Sequence, residues 1–151
     1  YWRCRMPDLI GLLDQASEEV LENMFFSGIT GELEMPAAGE RLRASVAFTG
    51  TANGELSVSA PPFAAALLAA GFLGEEPGDV ADFQVRAVVG ELANVLCGVV
   101  LARINPDGQF VITPPRVDVI DTADSAPAGE QAFQRCFELI EGDMTVALTV
   151  H

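Results

Sequence analysis

The chain has 151 residues, half of them apolar, enough for one domain with a real core and short for two. Eight basic residues against 22 acidic ones give a net charge of -14, a field that repels nucleic-acid phosphates and anionic lipid headgroups and points to a basic or polar protein partner. There is no lysine, and the only histidine is the terminal His151, which excludes a Walker-type phosphate loop and Schiff-base chemistry and leaves a Ser/His/Asp or Cys/His array to a fraying end.

In chain order, apolar residues at Leu9, Leu12, Leu13, Val20, Leu21, Met24 and Phe25 predict an amphipathic helix over Asp8 to Phe26, stopped by Gly28. A short strand is expected at Leu33. Arg41 to Thr49 and Glu55 to Ala60 read as a hairpin, with Asn53-Gly54 favouring the positive backbone angles of a tight turn. Pro61-Pro62 opens a short helix to about Gly71, and Gly74 to Asp79 is a loop. A second long helix is predicted from Asp79 to Ile104, ended by the turn Asn105-Pro106-Asp107-Gly108. Two short strands, Gln109 to Thr113 and Arg116 to Ile120, flank Pro114-Pro115. A polar loop over Asp121 to Gly129 leads to a closing hairpin, Gln131 to Ile140 and Met144 to Val150, around Glu141-Gly142-Asp143.

Helix followed by strands, twice over, predicts an α+β fold with two halves in a single domain, 1–151, whose first seven residues form a flexible terminus. The longest apolar runs, Phe63 to Leu73 and Val88 to Leu101, are interrupted before the roughly 20 residues of a bilayer span, so no transmembrane segment is expected. The amino terminus lacks an apolar h-region, and a cytoplasmic protein is the expectation. Cys4, Cys97 and Cys136 are scattered and without CxxC spacing, which predicts reduced thiols and neither a disulfide framework nor a metal site.

The stretch VVGELANVLCGVV, Val88 to Val100, is the unusual one. On a helical wheel Ala87, Glu91, Asn94 and Gly98 fall within about 60° of one another, opposite Val85, Val88, Val89, Leu92, Leu96 and Val99. Spacing of three makes Glu91 and Asn94 neighbours. A mid-helix glycine costs up to about 1 kcal/mol relative to alanine, so Gly90 and Gly98 beside this pair suggest a low surface for another backbone. On spacing alone, an ordinary solvated Glu and Asn, with glycines that permit packing inside this protein, is the commoner case. For Arg86 and Arg103 a solvated or paired role is the simplest, and for Cys97 a packed thiol.

GELANVLCG, Gly90 to Gly98, resembles the glutamate-and-asparagine helix of the CheC/CheX/FliY family of chemotaxis phosphatases, its CheX branch most of all. Glu91 and Asn94 match the family's pair, and Pro114 or Pro115 its downstream proline. Ala87 stands where the family has an acidic residue or serine. The order of helix (SEEVLENMFF, Ser17 to Phe26), hairpin, short helix and motif helix extends the resemblance over most of the chain. It implies a pseudo-symmetric α+β fold with two long helices on an antiparallel sheet, and a homodimer through sheet edges, for which the strands of Gln131 to Val150 are candidates. With Asn23 laid over Asn94, Val20 falls at the place of Glu91 and Glu19 is one residue out of register, so the first helix reads as a degraded copy without an active site.

The resemblance further implies hydrolysis of the aspartyl phosphate of a CheY-like receiver domain, with no nucleophile, metal or cofactor supplied by this chain and Mg²⁺ held by the receiver. Asn94 would orient the attacking water, and Glu91 would pair with the receiver's lysine. Ala87, Gly90, Gly98, Pro114 and Pro115 would form the docking surface. A non-catalytic module of the same fold, binding a receiver or a flagellar-switch component, is the alternative.

Overall fold

The computed structural model describes residues 6–122 and 131–151. Residues 1–5 of the expected flexible terminus, and 123–129 of the expected polar loop, lie outside them. Met6 and Pro7 already belong to the first helix.

Helix α1, Met6–Met24, turns Leu9, Leu13, Ala16, Val20 and Leu21 inward, all buried at three- and four-residue steps. It ends before Gly28 for a local reason. Phe26, not a glycine, takes the left-handed conformation at φ 53°, while the N–H groups of Phe25 and Ser27 both donate to the Leu21 carbonyl. The turn exposes the Phe26 ring and draws Phe25 into the core, stacked at 4.9 Å on Phe72.

Strands β1, Ile29–Leu33, β2, Glu40–Gly50, and β3, Gly54–Ala60, follow. In the β2–β3 turn the positive φ belongs to Gly50, and Asn53 contributes its side chain, whose oxygen accepts the Gly50 N–H at 3.1 Å. Gly54 is a strand residue without a side chain because Thr149 O and the Phe48 ring occupy that space. Helix α2, Pro62–Leu73, starts on proline and stops at Gly74, φ 68°. A single 3₁₀ turn, Pro77–Asp79, sits in the expected loop. It delays helix α3, Asp82–Ile104, by three residues, and the Gln84 side chain fixes the start by accepting the Ala81 N–H at 2.8 Å. Strands β4, Phe110–Ile112, β5, Arg116–Asp121, β6, Ala132–Leu139, and β7, Asp143–Val150, complete the described chain.

The seven strands form one antiparallel sheet in the order β1-β6-β7-β3-β2-β4, with β5 also on β2. Central β3 and β7 pair Ser57 with Ala147. On either side the edge strand of one half completes the hairpin of the other: β1 pairs β6, and β4 and β5 pair β2. The order is therefore symmetric under exchange of α1-β1-β2-β3 with α3-β4/β5-β6-β7, and α2 links the two halves. This corrects the expectation that Gln131 to Val150 supply sheet edges. β6 and β7 are interior, and the edges are β1 on one side and β4 and β5 on the other.

Leu42, Ala44, Val46 and Phe48 of β2, Leu56 and Val58 of β3, and Met144, Val146 and Leu148 of β7 face the helices and form the core with them. By length and apolarity α3 could cross a bilayer, with 23 residues and a hydropathy of 1.8. Its apolar arc instead lies against β2, β3, α1 and α2.

On the other face of the sheet Arg41 is fully buried. Its guanidinium donates to Asp143 Oδ2 at 2.6 Å, to Ser59 Oγ at 3.1 Å and to the Ser59 carbonyl at 2.9 Å. Asp143 also accepts the Ala37 N–H at 3.4 Å. One cation thus ties β2 across β3 to β7 and holds the segment before β2.

Candidate functional site

Helix α3 buries Val85, Val88, Val89, Leu92, Ala93, Leu96, Val100 and Leu101, which leaves an opposite arc for solvent. Ala87 and Glu91 are exposed on it, and Asn94 and Gly98 are half-buried. The pair singled out in the sequence therefore shares one accessible face, with a carboxylate and a carboxamide one helical turn apart.

The two glycines part company. Gly90 is buried, and a Cβ there would meet Pro115 Cγ at 3.2 Å and Cβ at 3.3 Å. Its missing side chain admits Pro115 of the same chain, the internal-packing alternative. Asn94 is one turn from Gly90, so Pro115, which precedes β5, packs on α3 within a turn of the carboxamide. Pro114 and Pro115 are both exposed. Gly98 is open, and a Cβ there would meet nothing within 4 Å. Gly98→Ala is accordingly expected to stabilise the fold by about 0.4–1 kcal/mol, since the helical backbone suits alanine, and a partner docking over the expected surface would meet the added methyl. Unfolding midpoints and partner affinity would be measured together. Unchanged affinity would show that this glycine serves no interface.

The flanking cations are engaged. Arg86 pairs with Asp82 at 3.0 Å, and Arg103 pairs with Glu19 of α1. Cys97 is 1 % exposed, and burial pushes its thiol up to about 12, so it stays protonated at neutral pH and acts as a packed apolar group. Cys136 is also buried and free.

Burial also fixes how the two long helices correspond. Leu13, Ala16, Ser17, Val20, Leu21 and Phe25 are buried at the same steps as Val85, Val88, Val89, Leu92, Ala93 and Cys97, an offset of 72 residues (85 − 13). The register that lays Asn23 over Asn94 is therefore one residue off. Val20, at 5 % exposure, is a core residue. Glu19 occupies the place of Glu91, and Glu22 that of Asn94. The first helix lacks the carboxamide at that place, and its glutamate is held by Arg103. Asn23 lines a groove of about 190 Å³ between α1 and α3 with Val20, Met24, Val95 and Val99.

The sequence profile described as chemotaxis phosphatase CheX matches residues 42–137. No curated protein matches the chain in sequence. Among solved structures, chemotaxis protein CheX from Vibrio vulnificus superimposes with a TM-score of 0.75 at 18 % identity, over 95 % of this chain and 99 % of that one. CheX from Desulfovibrio desulfuricans gives 0.71 at 22 % identity, over 95 % and 99 %. The Borrelia burgdorferi CheX–CheY–BeF3–Mg²⁺ complex gives 0.69 at 21 % identity, over 95 % and 98 %. These likenesses establish the shared fold, and the profile, spanning more than half of the chain, establishes the family: this is a member of the chemotaxis phosphatase CheX family.

Proposed function

We propose that the chain hydrolyses the aspartyl phosphate of a CheY-like receiver domain, working as a phosphatase in the cytoplasm. The observation that carries this reading is the accessible pair Glu91 and Asn94 on one arc of α3, with Pro115 packed on the same helix at Gly90. The receiver, holding Mg²⁺ and the phosphoryl group, would dock on that arc over Ala87, Gly98, Pro114 and Pro115. The Borrelia complex pairs a CheX of the same fold with CheY, beryllofluoride and Mg²⁺, which supports a receiver as partner.

Asn94 places a carboxamide where its oxygen accepts a hydrogen bond from a water in line with the scissile bond, and its NH₂ donates elsewhere. That water attacks phosphorus, the P–O bond to the receiver's aspartate breaks, the carboxylate leaves, and the water's proton stays with the inorganic phosphate. Such a loose transition state needs positioning more than covalent help, so a chain without lysine or a usable histidine is sufficient. Glu91 pairs with a lysine of the receiver and fixes the approach of the helix.

Glu91→Ala is expected to lower both affinity for a beryllofluoride-loaded receiver and turnover, each on the order of 10-fold or more, as for one partner of a desolvated interfacial ion pair. Loss of turnover with intact affinity would shift Glu91 from docking to chemistry. The decisive experiment incubates the protein with a panel of phosphorylated receivers and Mg²⁺ and follows phosphate release. Ala87, in place of the family's acidic residue or serine, favours one competing reading, a receiver-binding module without hydrolysis. Tight binding of the beryllofluoride-loaded receiver without accelerated phosphate release would establish it. We also propose a homodimer through the sheet edges left open at β1 or at β4 and β5.

A further inference from the structure

Phe83 stands on the same arc of α3 as the candidate site. The steps Phe83, Ala87, Glu91, Asn94, Gly98 are four, four, three and four residues, so all five lie along one stripe. The ring is 74 % exposed, although phenylalanine is among the residues most often found inside. Isolated exposed apolar side chains are ordinary, but two observations set this one apart.

The first is charge. Along the stripe Phe83, Ala87, Glu91, Asn94, Gly98 and Ala102, Glu91 is the one ionised group, and the charges beside the stripe are balanced, Arg86 pairing with Asp82 and Arg103 with Glu19 of α1, on a protein of net charge -14. The matching stripe of α1 carries Glu19 and Glu22 at the places of Glu91 and Asn94, with Glu18 exposed beside them. Of two helices alike in packing, one presents an acidic face and the other a nearly neutral one with small residues. A partner whose phosphorylated aspartate sits among carboxylates approaches the neutral face at the lower electrostatic cost. The second is position. Phe83 is eight residues from Glu91, about 12 Å along the axis at 1.5 Å per residue, far enough to clear the phosphoryl group and near enough to share one footprint of standard size.

We infer that Phe83 is the apolar anchor of the receiver-docking surface, seated in a hydrophobic depression of the receiver about two helical turns from the phosphoaspartate. This rests on the receiver-phosphatase reading and adds a specificity determinant to it. The small residues Ala87 and Gly98 let the partner's backbone descend onto α3, Glu91 and Asn94 meet the phosphosite, and Phe83 fixes the rotation of one protein about the other. An aromatic side chain desolvated within an interface is the usual form of a binding hot spot.

The test compares the wild type with Phe83→Ala and Phe83→Leu, using a phosphorylated receiver for kcat and KM and the same receiver loaded with beryllofluoride for Kd. Phe83→Ala should raise KM and Kd about 10-fold or more, in keeping with the loss of an aromatic anchor, with kcat at saturation within about twofold, the pattern of lost uniform binding. Phe83→Leu should recover most of the affinity, and the unfolding midpoint should stay where it is for both. Unchanged KM and Kd would overturn the inference, as would a fall in kcat at saturation. Loss of a dimer by Phe83→Ala in sedimentation, with KM following only the dimer fraction, would assign the ring to a second copy instead. A wild type that hydrolyses no receiver would sink the phosphatase reading, yet the Kd arm would still decide whether Phe83 anchors a receiver. A wild type that binds none would sink both.

Discussion

Asn94→Ala should reduce phosphate release on the order of 10²-fold at saturating phosphorylated receiver, by analogy with the loss of one preorganised polar group from an active site. That factor corresponds to about 2.7 kcal/mol of transition-state stabilisation. Receiver affinity should change little, because truncation takes a half-buried carboxamide from the arc but leaves Ala87, Glu91, Gly98 and Pro115 in place. The fold should be unaffected for the same reason. Single-turnover phosphate release, with Kd for the beryllofluoride-loaded receiver as control, separates the two effects. Full turnover by Asn94→Ala would defeat the mechanism, since no other described residue on the arc offers both a donor and an acceptor to a bound water.

The largest effect on stability is expected at the far face of the sheet. Asp143→Ala strips the counter-charge from a guanidinium that is 0 % exposed while Asp143 itself is 8 % exposed, and removing one partner of a buried ion pair costs about 3–5 kcal/mol. A domain of this size commonly holds about 5–15 kcal/mol in all. Ser59 and Thr145 can still accept from the cation, but neither neutralises it. Arg41→Met combined with Asp143→Leu should regain most of the loss, because an apolar pair leaves no orphaned charge. Equilibrium urea unfolding of both variants checks this. A cost below about 1 kcal/mol for Asp143→Ala would mean that water reaches the guanidinium once the carboxylate is gone.

Local patterns reveal the elements and conceal their arrangement. Helix α3 is legible because a 3.6-residue apolar period and the Asn105–Gly108 turn are both written nearby in sequence. The strands of the β2–β3 and β6–β7 hairpins are legible to within about two residues at each end for similar reasons. The neighbours of β6 and β7 are not, because pairing with β1 and β3 joins positions far apart in the chain and leaves no periodicity behind. The end of α1 misleads because Phe26, a residue with no preference for the left-handed region, adopts it in order to bury Phe25. In the site, Glu91, Asn94 and the proline stand out through a family resemblance, and the wheel alone does not raise them above surface residues. Gly90 and Gly98 look alike in sequence, and Pro115, which distinguishes them, lies 25 residues beyond Gly90 (115 − 90). Phe83 escapes notice because a phenylalanine entering an apolar helix reads as core. The burial of Arg41 is not legible either, since strand alternation places it on the outer face and says nothing of what covers that face.

The interlaced sheet governs how the protein must be made. β7 follows the other six described strands in the chain and is one of the two at the centre, and Gly54 waits for Val150, as Ile29 waits for Leu139. Neither half can close its own half of the sheet, because the strand flanking each hairpin is encoded with the other. Folding is consequently a single late event dominated by contacts between distant segments, the class that folds slowly. Truncation before β7 should therefore yield an insoluble product rather than a smaller folded one, because β3 and β6 would lose the neighbour they share.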